Sequence, residues 1–305
     1  MSNGQHGFVI VDKPSGWTSH DVVARLRKLA GTKKVGHAGT LDPMATGVLV
    51  CGIGGATRLL GRITLTDKEY EATIRLGYST TTDDAQGEVV AVAPPKWSPE
   101  TVANDRAKLT ATLSAFTGEI MQRPSSVSAI KVDGKRAYAR VRAGEDVVLP
   151  ERGVTVSEFT LKSVSASTIE DLGIVDLDVV VGCSSGTYVR SLARDVGESL
   201  GVHGHLSALR RTRVGPFELG RASTLDDLAS DFKMQPLGQV CDQLFTTLDL
   251  SSEDAVIVRH GGRLPWPKGI EKSRSVALFD ESHEVLALAE CRNDQLAPVV
   301  VWAPA

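Results

Sequence analysis

The chain has 305 residues, of which 42% are hydrophobic and 23% charged, with 34 Lys plus Arg against 37 Asp plus Glu and a formal net charge of −3. That length allows about one to three domains and a large buried core. No apolar run reaches the roughly 20 residues that span a bilayer, and the start MSNGQHGFVIVDKP lacks a basic stretch followed by an apolar core, so neither membrane insertion nor secretion is expected. Four scattered cysteines, Cys51, Cys183, Cys241 and Cys291, form no C-x-x-C pair, which argues against a zinc site or a disulfide framework and for reduced thiols in the cytosol.

In chain order, GFVIVDKP (7–14) reads as a short buried strand ended by Pro14. TSHDVVARLRKLAG follows as a helix. Thr18 or Ser19 can cap it, Val22, Val23, Leu26 and Leu29 keep the helical period, and Gly31 can end it. GHAGTLDPMATGVLV leads into a strand around 48–53, and GATRLLGRIT into a short helix. KEYEATIRLGYST (68–80) alternates as a strand, and TTDDAQGEVVAV gives a turn-rich link and another. SPETVANDRAKLTATLSAFTG (98–118) predicts one helix, capped by Ser98 and ending near Gly118. Residues 119–153 are basic, turn-rich and only moderately apolar, and predict a long excursion from the core. IVDLDVVVGCSSG (174–186) reads as a buried strand ending in a Ser/Gly turn, TYVRSLARDVGESLG (187–201) as a helix, and HLSALRRTRVGPFEL (205–219) as a strand pair or extended segment. From 250 onward a short helix, SSEDAVIVRHG, and several short strands predict a small, mostly β module. Irregular, hairpin-like connections favour an α+β fold with a mixed sheet over a doubly wound parallel one.

The acidic total hides basic clusters. Residues 1–62 carry eight basic side chains against three aspartates, and 121–142 carry six against Asp133 alone. Arg210, Arg211 and Arg213 form a third cluster. Local basic surfaces attract phosphates even when the whole chain is acidic, although solvated helix faces have the same composition.

Within GHAGTLDPMATGVLV, Asp42 is the only carboxylate. As L-D-P it can simply start a turn. Its isolation among Gly36, Gly39 and Gly47 also suits a lone nucleophile or general base on a loop that a partner can approach closely. In a partly apolar pocket such a carboxylate needs a nearby cation to stay ionised. Arg190, just after a strand and a Ser/Gly turn, is a candidate, and an exposed helix position is the alternative. Tyr188 could converge on the same place. GIGGATRLLG (52–61) fails as a dinucleotide loop because Thr57 stands where the third glycine is needed. HGH (203–205) has no matching cluster of further ligands and reads as surface or structural histidines.

Six stretches in one order then carry a likeness to a known family: VDKPSGWTSHDVV, VGHAGTLDPMATGVLVCGIGGATRLL, DKEYEATIRLG, RPSSVSAIKVDGKRAY, CSSGTYVRSLARDVG and LRRTRVGPF. The sequence resembles the TruB family of tRNA pseudouridine synthases, in its actinobacterial form, across most of its length. The resemblance implies a catalytic domain over 1–249 with a mixed, mostly antiparallel central sheet flanked by helices. It implies an RNA-closing insertion at about 121–152, mobile without RNA, and a PUA-like RNA-binding module over 250–305. The activity implied is isomerisation of a uridine in the T loop of tRNA, in the cytoplasm, by a monomer with no cofactor, metal, membrane or protein partner.

The resemblance also assigns roles. Asp42 falls on the family's essential aspartate, attacking C1′ of the ribose or acting as base at C2′. Tyr70 matches the aromatic residue that stacks on the target base and could accept the C5 proton; a half-buried strand tyrosine is the alternative. Tyr188 and Arg190 match the pocket tyrosine and the arginine paired with the aspartate. Leu209 matches an apolar wall and His37 a histidine that helps hold the flipped-out RNA. Lys13 and Pro14 match a K-P stretch supporting the loop. Arg123, Lys131, Lys135, Arg136 and Arg140 are candidate RNA contacts in the insertion. An RNA-binding or tRNA-folding protein without catalysis, and a guide-dependent synthase, are the alternatives.

Overall fold

Lys68, Tyr70, Ala72, Ile74 and Leu76 are buried along one strand, Lys68–Leu76, while the residues between them are not. This period of two puts one strand face into the core and sets the pattern of the computed structural model. The structure describes residues 6–125, 131–132, 135–136 and 149–302. Its main sheet runs in the order Gln235–Pro236, Gly7–Lys13, Thr46–Ile53, Gly204–Val214, Lys68–Leu76, Leu172–Cys183, Arg152–Ile169 and Gly118–Gln122. Neighbours are antiparallel except for Thr46–Ile53 beside Gly204–Val214. The sheet is therefore mixed and mostly antiparallel.

Helices flank it. Ser19–Leu29 buries Val22, Val23 and Leu26 against Val9, Val11, Leu49 and Cys51. Thr18 and Asp21 form a reciprocal capping box at its start. Val189–Leu200 packs Leu192, Ala193 and Val196 with Ile74, Leu76 and Leu206, and ends at Gly201 with φ +71°.

Three expectations need correcting. The single helix over 98–118 is two helices, Pro99–Asn104 and Arg106–Ala115. Asp105 leaves helical geometry at φ −90° and ψ 62°, and its carboxylate accepts from Lys108 N at 3.0 Å. Asn and Asp compete with the backbone for hydrogen bonds, so this pair ends one helix and starts the next. Asp105→Ala is expected to cost about 1 kcal/mol of stability through loss of that cap. A urea midpoint unchanged by the substitution would contradict the cap.

Second, Gly118–Gln122 pairs with the start of Arg152–Ile169. Residues 119–122 and 152–153 therefore belong to the sheet, inside the excursion expected over 119–153. Short backbone strands Lys131–Val132 and Lys135–Arg136 pair within it. The side chains of Lys131, Lys135 and Arg136, all of Arg140 and the expected mobility lie outside the described residues.

Third, the basic clusters are partly structural. Arg58 donates to the Val301 carbonyl and Arg62 pairs with Glu290, both on the C-terminal sheet. Arg211 is buried and Arg210 pairs with Asp12 at 2.7 Å. These side chains have protein partners in place of phosphates.

The C-terminal sheet runs Thr246–Asp249, Val276–Phe279, Val285–Arg292, Gln295–Val301 and Leu264–Pro265. It begins at Thr246, ahead of the boundary expected at 249/250. Ala277, Phe279 and Leu288 share one apolar cluster with Phe8, Val240 and Cys241. Trp302 Nε1 donates to the Gly55 carbonyl at 3.0 Å.

Candidate active site

The loop 38–45 connects the edge strand Val35–His37 to Thr46–Ile53 and carries Asp42. It is held from three sides. Below it, Lys13 is fully buried, and its ammonium donates to the carbonyls of Pro14 (2.9 Å), Trp17 (2.7 Å) and Pro43 (3.2 Å). Burial pulls the Lys13 pKa down to about 8, against the opposing pull of Asp42. From the first helix, Ser19 Oγ accepts from Leu41 N at 2.9 Å. From the sheet, the Arg211 guanidinium donates to the carbonyls of Val48 (2.7 Å) and Gly39 (3.2 Å), with Thr40 at 3.5 Å. Gly47, at φ +97°, lets the chain cross Arg211: a Cβ there would lie 2.2 Å from the Arg211 carbonyl oxygen.

Asp42 does form a local turn, its carbonyl accepting from Ala45 N at 3.1 Å. Its carboxylate meets Arg190 through two bonds, Nε to Oδ2 at 2.9 Å and Nη2 to Oδ1 at 3.2 Å. This fork geometry matches a carboxylate and keeps it oriented. Arg190 is 6% exposed, whereas the Asp42 side chain is 36% exposed and open to an incoming group. The other edge of Arg190 donates to the Thr82 carbonyl at 3.0 Å and lies 3.6 Å from Asp84 Oδ2. Arg190 reaches this position because the strand Leu172–Cys183 ends in a turn with Gly186 at φ +90°, after which Tyr188 opens the helix. Gln122 fixes Tyr188, accepting from its N at 2.8 Å and donating to its carbonyl at 3.1 Å.

These groups line a cavity of about 350 Å³. Asp42, Tyr70, Tyr188, Arg190 and Leu209 all face it. Tyr70 is 8% exposed and pairs in register with Arg211. Burial raises its phenol pKa, so the hydroxyl is protonated at neutral pH. That suits stacking and hydrogen bonding. His37 is not a lining residue. It is half-buried, meets His20 edge-on with centroids 5.8 Å apart, and burial followed by His20 lowers its pKa. Pro14 is exposed beside the loop, and Arg123 pairs with Glu151 at 3.1 Å on the surface. His205 is in the core, bonded to the Tyr78 carbonyl at 3.1 Å. Among the described residues no three His, Cys, Asp or Glu side chains gather as a metal site.

Two charged lining residues escaped the sequence reading. Lys68 is 6% exposed and shares the inward face of its strand with Tyr70. Arg211 looked like part of a basic surface. The alternation that buries Leu209 and Arg211 while leaving Arg210 accessible was the available signal.

Comparison with known proteins is consistent along the whole chain. Residues 27–189 match the model of the TruB family pseudouridylate synthase N-terminal domain, and 190–248 match the tRNA pseudouridylate synthase B C-terminal domain. Proteins called tRNA pseudouridine synthase B from Thermobifida fusca and from an Arthrobacter species are 56% and 51% identical, covering 97% and 98% of this chain and 98% and 97% of their own. Among solved structures, the archaeal box H/ACA sRNP Nop10–Cbf5 complex contains a chain with TM-score 0.70 and 26% identity, aligned over 98% of this chain and 87% of that one.

Proposed function

The chain belongs to the TruB family of pseudouridylate synthases, and from that premise we propose that it converts uridine 55, in the T loop of tRNA, to pseudouridine with Asp42 as the group that opens the base–ribose bond. It is an isomerase acting on tRNA, like the relatives it resembles over nearly their full length. The observation that carries the role of Asp42 is its two-point contact with buried Arg190 at the mouth of the cavity.

A uridine inside a stacked loop cannot present C1′ to a carboxylate. It has to be flipped out, at a cost of a few kcal/mol, which stacking and edge contacts in the pocket offset. Tyr70 supplies the stacking face, Leu209 and Tyr188 the walls, and Arg190 holds Asp42 in position through both of its oxygens. Asp42 then attacks C1′ or takes the C2′ proton as the C1′–N1 bond breaks with its electron pair on the base; the base turns, C5 bonds to C1′ as Asp42 leaves C1′ or C2′ regains its proton, N1 takes up a proton, and the C5 proton leaves. Lys13 and Pro14 support the loop, and His37 acts on the flipped RNA from beside it. The C-terminal module from Thr246 onward serves as the PUA-like RNA-binding part, and Arg123 with the basic excursion contacts the T arm. The protein acts as a cytoplasmic monomer.

The test uses an unmodified tRNA transcript carrying tritium at uracil C5, with no guide RNA or accessory protein. Native protein is expected to release tritium. Asp42→Asn is expected to release none while binding the transcript with affinity within about threefold of native, since the substitution keeps size and shape. Tight binding by both proteins with no release from either would instead support an RNA-binding role or a guide-dependent enzyme.

A further inference from the structure

The cavity is lined by three cations, Lys68, Arg190 and Arg211, and by a single carboxylate, Asp42. Arg190 is matched by Asp42. Arg211 is engaged with the loop carbonyls. Lys68 donates to two backbone carbonyls, those of Thr64 and Thr66, and the first of these also accepts from Ser185 at 2.8 Å. Carbonyls solvate an ammonium but do not cancel its charge. An ammonium has three N–H bonds, so one remains for an occupant of the cavity. Keeping such a group only 6% exposed is unfavourable to the fold, and burial, with Arg211 adding to it, lowers its pKa to about 8. An anion in the cavity during the reaction would offset that cost.

Position selects which anion. Phosphates of a flipped nucleotide stay joined to the rest of the RNA and so remain at the mouth, near the exposed Asp42. Lys68 is deep, two residues from Tyr70 on the same strand face. The part of the nucleotide that reaches there is the base. When the C1′–N1 bond breaks, its electron pair leaves with the base, whichever role Asp42 plays, and the detached uracil is an anion spread over its ring and carbonyl oxygens. We propose that Lys68 is a further catalytic residue of this site, whose ammonium contacts a uracil carbonyl oxygen and stabilises the detached base until C5 returns the electron pair to C1′. Arg211 stands behind this pair as a fixed second cation. The inference rests on the functional reading above.

The experiment compares single-turnover rearrangement of uridine and of 5-fluorouridine at the target position, by nuclease digestion and mass spectrometry, for native protein and Lys68→Met. Fluorine withdraws electron density and makes the base a better leaving anion, so it should need the cation less. Lys68→Met is expected to slow uridine about 100-fold at saturating RNA, and to slow 5-fluorouridine by no more than about 10-fold. Equal slowing on both substrates, no slowing, or a loss recovered by raising the RNA concentration would each overturn the proposal. Native protein inactive on uridine would instead sink the functional reading. A second variant, Lys68→Gln, covers a methionine variant that does not fold. It removes the charge but keeps a donor for the Thr64 and Thr66 carbonyls, so the same selective slowing of uridine is expected. Equal slowing of both substrates by Lys68→Gln would overturn the proposal.

Discussion

Replacing Arg211 with methionine is expected to remove about 3–5 kcal/mol of stability, the largest single loss outside the apolar core. The side chain is 1% exposed and joins a strand to the loop that carries Asp42. Methionine fills much of the volume but donates nothing, so the buried Val48 carbonyl loses its donor at about 1–3 kcal/mol, and the half-buried Gly39 carbonyl at the low end of that range. The neighbouring Arg210→Met makes the control. Arg210 is partly exposed and pairs with Asp12 at the surface, so its loss should cost no more than about 1 kcal/mol. Urea midpoints at an unchanged m-value measure both. Similar midpoint shifts for the two variants would refute the clamp. Folded Arg211→Met protein should also be slow at saturating RNA, because the loop no longer holds Asp42 at a fixed distance from Tyr70.

This pair of arginines shows what the sequence could and could not tell. RRTR reads as one basic cluster because charge counting ignores direction, and strand alternation then sends one side chain to the core and its neighbour to Asp12. The same limit applies elsewhere. The buried strands 7–13 and 172–183 were legible because they are nearly continuous apolar runs bounded by Pro or Ser/Gly. Arg152–Ile169 was not, since most of its residues are exposed and its apolar alternation is broken into short runs, Val154/Val156, Phe159/Leu161 and Val164/Ala166, put out of phase by bulges after Val156 and Leu161. The break at Asp105 lay inside an otherwise good helical pattern, where propensity differences between adjacent residues are small. For the site, the isolation of Asp42 and its need of a cation could be argued from local chemistry, and Arg190 was the natural partner. The turn 82–84 that holds the far side of Arg190 could not be found this way: over 100 residues separate the two, and only the fold brings them together.

Arg190→Lys should be the most damaging charge-conserving substitution in the site, lowering the single-turnover rate about 100- to 1000-fold with little change in RNA affinity. Arginine here is used at both edges. One edge grips both oxygens of Asp42, and the other reaches the Thr82 carbonyl and Asp84. A lysine ammonium is a point charge on a flexible stem and cannot satisfy the two sides together. It would settle toward one carboxylate, leaving Asp42 free to rotate, and a misplacement of about 1 Å in a reacting group can cost about 100-fold. Asp84→Asn should be milder, because Thr82 still anchors the same edge and the direct contact to Asp42 is untouched. The expected order of rates is native, Asp84→Asn, Arg190→Lys, then Asp42→Asn with none. Rapid-quench tritium release at saturating transcript gives that order directly. If Arg190→Lys matched native, charge alone would suffice at this position, and the two-point grip on Asp42 would have no part in catalysis.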